Sequence, residues 1–103
     1  MLTHALFAHL EAKPGKEQAV AEFLAAGLEM ANREETTPLW FALRLSPTSF
    51  AIFDCFYDEA ARQRHLAGPI AQALMAQADQ LLASPPKIDY VDVLGFKNQA
   101  ANQ

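Results

Sequence analysis

The stretch LWFALRLSPTSFAIFDCFY, residues 39–57, decides the fold. Two runs dense in Leu, Phe, Ile, Trp and Tyr flank Ser46-Pro47-Thr48-Ser49. Aromatic and branched residues suit a pleated strand, whereas Ser and Pro mark a turn. So short a connection makes Leu39 to Leu45 and Phe50 to Tyr57 an antiparallel hairpin. Each run is apolar on both parities, so both faces of the sheet require a cover.

Upstream, Leu2 to Glu11 is also apolar on both parities and reads as a first strand, broken by Lys13-Pro14-Gly15. From Lys16 to Ala31, Val20, Phe23, Leu24, Gly27, Leu28 and Ala31 form one helical stripe. Downstream, Asp58 is placed to cap a short helix over Glu59 to Leu66. Gly68-Pro69 interrupts it, and Pro69 suits the first turn of a further helix reaching about Ala83. Ser84-Pro85-Pro86 ends that helix, and Lys87 to Lys97 reads as a last strand. Residues 98–103 are polar and are expected to form a flexible tail.

The order β, α, β, β, broken α, β predicts an α+β domain over residues 1–97 with the ferredoxin-like βαββαβ arrangement. Its four-stranded antiparallel sheet would carry the helices on one face. The opposite face stays apolar, so a second copy packing sheet against sheet is expected, giving a homodimer. Composition agrees. Hydrophobic residues make up 51% of the 103, above the usual share of about 45–50%.

The net charge is -4, and the nearest approach to a basic cluster is Arg62 with Arg64. Nucleic-acid binding needs a basic stripe to neutralise phosphates, and anionic membranes need a polybasic patch. Neither partner is expected. Cys55 is the only cysteine, so no intrachain disulfide forms, which fits a reducing compartment. No signal-peptide or membrane-span pattern is present, and a cytoplasmic protein is expected.

Asp54 stands out because it interrupts an aromatic strand, where a buried carboxylate needs a partner or a proton. Two readings are open: a structural ion pair, or a site acid or base. Arg44 is a natural partner across the hairpin, but register decides. In one register Trp40, Ala42 and Arg44 share the face of Asp54, and a slip of one residue turns them all away. His65, at a helix end beside Gly68-Pro69, is either a capping residue or a proton carrier near pH 7. His4 shares the face of Leu6, Ala8 and Leu10, while His9 has the opposite parity. His4, His65 and Asp54 lack any local ligand spacing, so no metal is expected. Cys55 has acidic and aromatic neighbours, which favours a core role over a nucleophile.

Phe56 through Leu74, with Asp58-Glu59-Ala60-Ala61, His65-Leu66 and Gly68-Pro69, resembles the Trp/Phe…Ala…His-Leu…Pro segment of antibiotic biosynthesis monooxygenase (ABM) domains. Lys13-Pro14-Gly15-Lys16-Glu17 after the first strand is similar to their start, and Glu34-Glu35-Thr36-Thr37 to their Glu-x-Gly-Thr segment. The resemblance covers nearly the whole chain. It implies a dimeric α/β barrel with a pocket between sheet and helices in each subunit. It also implies oxidation of quinol- or anthrone-like aromatics without metal or flavin, so no cofactor. His65 matches the family's helix histidine, and Phe56 stands where many members carry Trp. Ala8 stands where haem-degrading relatives carry Asn, so haem cleavage is not expected.

On this basis His65 and Asp54 are the candidate acid–base residues. Arg44, Trp40, Phe56 and His4 are candidates for contacting a small apolar or aromatic ligand. Dimeric α/β barrels also host isomerases and lyases, and a non-catalytic ligand-binding module has the same fold requirements.

Overall fold

A computed structural model describes residues 1–97; the expected tail over 98–103 lies outside the described residues. The chain folds as β1 (His4–Glu11), α1 (Glu17–Ala31), β2 (Leu39–Arg44), β3 (Ser49–Phe56), α2 (Glu59–Leu66), α3 (Pro69–Leu81) and β4 (Lys87–Asp92). The strands form one sheet in the order β2-β3-β1-β4, every pair antiparallel. This is the ferredoxin-like arrangement, with the second helix broken at Gly68-Pro69.

The hairpin register sets Trp40 opposite Asp54, Ala42 opposite Ile52 and Arg44 opposite Phe50. Directly opposed residues share a face, so Trp40, Ala42 and Arg44 lie on the face of Asp54. That face meets the helices. Ala8, Leu10, Phe50 and Ile52 of the sheet pack there with Val20 and Leu24 of α1 and Leu74 and Ala78 of α3. Gly15, with φ of 86°, makes the left-handed turn that sends the chain from β1 into α1, a conformation costly for a residue with a Cβ.

Asp58 caps α2, its carboxylate accepting from the Ala61 N–H at 2.8 Å. Arg62, 7% exposed, then ties this helix to the sheet. Its guanidinium donates to the carbonyls of Ala5 and Val91 at 3.1 and 3.3 Å and lies over the Tyr90 ring. It also pairs with Glu59. α2 is thereby fixed to the sheet so that His65, one turn on, meets β3.

The last strand is shorter than the sequence pattern suggests. Pairing stops at His4 with Asp92, and one further bond runs from the Val93 N–H to the Thr3 carbonyl. Beyond it β1 offers no more partner groups, so Leu94 is left 96% exposed. On the face away from the helices, Leu2, Ala5 and Cys55 are buried beside Phe53, Val91 and Val93. Phe41 stacks on Phe53 there, yet is itself 46% exposed. Among the described residues no helix is long and apolar enough to cross a membrane.

Candidate active site

β3 brings Asp54 to the centre of the helix-facing side, where it is 1% exposed. The last turn of α2 lowers His65 onto it, with Nε2 2.9 Å from Asp54 Oδ2. That contact meets the distance of an ion pair without the alignment of a full hydrogen bond, so both Asp54 oxygens retain unused acceptor capacity. On the other side of the ring, Nδ1 meets Glu34 Oε1 at 2.6 Å. A carboxylate only accepts, so Nδ1 carries the proton in this bond. Glu34 comes from the connection between α1 and β2, and the Thr37 hydroxyl donates to its Oε1 at 2.8 Å. Phe56 buttresses the imidazole, ring centroids 5.4 Å apart.

An imidazole between two carboxylates has one proton to share with Asp54, on Nε2 or on Oδ2. The two ends are tuned toward each other. Burial pushes the Asp54 carboxyl above its ordinary value, and His65 offsets only part of the rise. Burial works against the His65 imidazolium, but Asp54 first and then Glu34 outweigh it, so its pKa also lies above the ordinary one. A carboxyl made more basic beside a histidine whose proton is held is suited to proton transfer near neutral pH.

The pair borders two spaces. Inward lies an apolar cavity of about 40 Å³ between sheet and helices, walled by Leu6, Ile52, Ile70, Leu74 and Ile88 and reached by Asp54 and His65. Outward lies a cleft of about 410 Å³, walled by Met30, Arg33, Glu34, Arg64, His65 and Pro69. His65 belongs to both walls, Asp54 to the inner one and Glu34 to the outer one.

The remaining candidates are dispersed. Trp40 sits opposite Asp54, but its indole packs toward α1, where a Cβ on Gly27 would lie 3.4 Å from the ring, and its N–H is buried without a partner among the described residues. Arg44 shares the face of Asp54 at the far end of the hairpin. There it donates to the carbonyls of Ser46 and Pro47 and covers the Phe50 ring. His4 lies opposite Phe56 and bonds the Thr3 hydroxyl at 2.8 Å. Cys55 is buried on the opposite face, and burial followed by the charge of Asp54 pushes its thiol up, away from the reactive thiolate. Among the described residues no group of three His, Cys, Asp or Glu side chains is arranged to hold a metal ion. Both nitrogens of His65 are already committed to carboxylates.

Glu34 escaped the sequence reading as a site residue because it lies in a polar connection with no periodicity to mark it. The Glu34-to-Thr37 spacing was the available signal, since a hydroxyl three residues on can hold a carboxylate in place.

No protein-family model and no curated protein matches the chain. Solved structures do. The NE2512 protein of unknown function from Nitrosomonas europaea is 55% identical, covers 95% of each chain and gives a TM-score of 0.93. Rv0793 from Mycobacterium tuberculosis gives 0.81 at 18% identity, over 93% of this chain and 99% of that one. A structure named antibiotic biosynthesis monooxygenase gives 0.76 at 16% identity, over 89% and 99%.

Proposed function

We propose, from the premise that this chain belongs to one family with the NE2512 protein and has the ABM fold, that it is a cofactor-independent monooxygenase. Its substrate is a small electron-rich aromatic of the quinol or anthrone type. The observation that carries this reading is the Asp54–His65 pair on the wall of an otherwise apolar cavity.

The chemistry needs little else. Such an aromatic, once deprotonated, reduces dioxygen itself. The protein supplies a base, a counter-charge and a dry space. Asp54, on the wall of that cavity, has acceptor capacity to spare, and burial makes it a stronger base than an ordinary aspartate. His65, in contact with Asp54, accepts the proton that Asp54 takes from the substrate. Oxygen then adds to the ring carbon, the peroxide takes a proton, and water leaves as the carbonyl forms. A CH₂ group and O₂ thus become C=O and H₂O.

The cavity of about 40 Å³ is little more than the share of one water molecule, roughly 30 Å³. It admits a hydroxyl or dioxygen, and an aromatic ring enters by displacing the wall at Ile88, which is exposed on the edge strand β4. A second copy of the chain covers the opposite, apolar face of the sheet, where Phe41 and Leu43 are exposed.

The test is oxygen uptake by chelator-treated protein with quinols, naphthols and anthrones. Wild type consumes oxygen, and His65→Ala loses at least about a hundredfold of the rate, the lower end of what general acid–base catalysis contributes. Wild-type rates in that variant would remove His65 from the chemistry.

A further inference from the structure

Asp54 borders only the inner cavity, Glu34 only the outer cleft, and His65 both, with one ring nitrogen at 2.9 Å from Asp54 and the other at 2.6 Å from Glu34. We propose that these three side chains are a proton wire through the wall, and that Glu34 is its solvent-side terminal. The inference rests on the oxygenase reading for its purpose but not for its existence.

The wire runs once in each direction per turnover. In the outward half a C–H of the reacting CH₂ group breaks, its electron pair is delocalised onto the ring oxygen, and the proton goes to Asp54. Asp54 passes a proton to His65 Nε2 while Nδ1–H passes one to Glu34, which yields it to water in the cleft. The imidazole is left with its proton on Nε2. In the inward half Glu34 returns a proton to Nδ1, Nε2 releases one to Asp54, and the peroxide is protonated. The starting tautomer is restored, and no net proton is consumed.

The surroundings of Glu34 fit a terminal. Its Oε1 is held by His65 and Thr37, while Oε2, itself buried, has no partner among the described residues and so is the oxygen left to take a proton. Gly68 packs beside Oε2, where a Cβ would lie 3.7 Å from it, and the Glu34 side chain keeps 16% of its surface exposed on the cleft wall. The other charged groups of the cleft, Arg33, Glu35 and Arg64, are exposed and leave one positive charge in excess.

The experiment measures exchange of the His65 ring protons with water by NMR on the substrate-free protein, in wild type, Glu34→Gln and Glu34→Ala. Gln keeps an acceptor for Nδ1 but cannot carry the proton. Exchange slows at least about tenfold in both variants, and acetate, small enough for the cleft, restores it in Glu34→Ala but not in Glu34→Gln. Unchanged exchange in Glu34→Gln, with the His65 signals still shifted by Phe56, would overturn the wire. So would loss of exchange that acetate fails to restore in a folded Glu34→Ala protein. Glu34-dependent exchange in a protein that consumes no oxygen would uphold the wire and sink the oxygenase reading alone.

Discussion

Replacing His65 by Ala removes the group on which two carboxylates depend. Asp54, 1% exposed, has no other charged partner in contact among the described residues. Breaking a buried pair by deleting one member costs about 3–5 kcal/mol. Asp54 escapes part of that by taking up a proton, so a loss of about 3 kcal/mol at neutral pH is expected. For a domain of this size that lowers Tm by roughly 12–24 °C. Asp54→Asn keeps the shape and removes the charge, and with both changes neither partner is stranded. The double variant should therefore be more stable than the two single losses predict, by about 1–3 kcal/mol.

The pH dependence follows from the same pair. Both pKa values are raised in the folded protein, so the native state binds more protons than the unfolded chain and stability falls as pH rises. For His65 the contribution is complete below the ordinary 6.5 and is lost as pH passes through the raised folded value. Urea denaturation of the four proteins at several pH values measures both effects. Losses that add within about 0.5 kcal/mol, together with one pH slope for wild type and His65→Ala, would refute the coupled pair.

Three further changes probe the frame around the site. Arg62→Met removes its bonds to the Ala5 and Val91 carbonyls and its pairing with Glu59 and should cost about 1–3 kcal/mol, read from the denaturation midpoint. Gly27→Ala places a methyl at 3.4 Å from Trp40 ring carbons, an ordinary contact. The gain in helix propensity should then raise stability by about 0.5–1 kcal/mol, and a lower Tm would mean that the indole cannot accept the methyl. Phe41→Glu puts a charge on the open sheet face, and light scattering should find a dimer for wild type, as proposed, and a monomer for this variant. A dimer of unchanged affinity would place the interface elsewhere.

The hairpin, the two crossovers and the helix break were legible because each is written in local chemistry: Pro and Gly at the ends, apolar residues at the right period. α2 spans the residues its Asp58 cap and Gly68-Pro69 break delimit. β4 was overestimated because composition after Asp92 still looks strand-like, with Val93, Leu94 and Phe96, whereas its length is set by where β1 begins pairing. Asp54 was visible as a carboxylate in an aromatic strand. Its face was not, since a one-residue slip inverts a strand that is apolar on both sides. Glu34 shows the limit more sharply, because it reaches His65 only through tertiary structure, 31 residues away along the chain. Arg44, read as a possible partner of Asp54, instead closes the hairpin end.

The central claim, oxygenation begun by the Asp54–His65 pair, is tested most directly by turnover under ¹⁸O₂ with an anthrone, followed by mass spectrometry of the product. The account predicts one labelled oxygen in the product carbonyl, the second label in water, and neither with His65→Ala. Turnover that continues under argon, or a product oxygen derived from solvent, would contradict it.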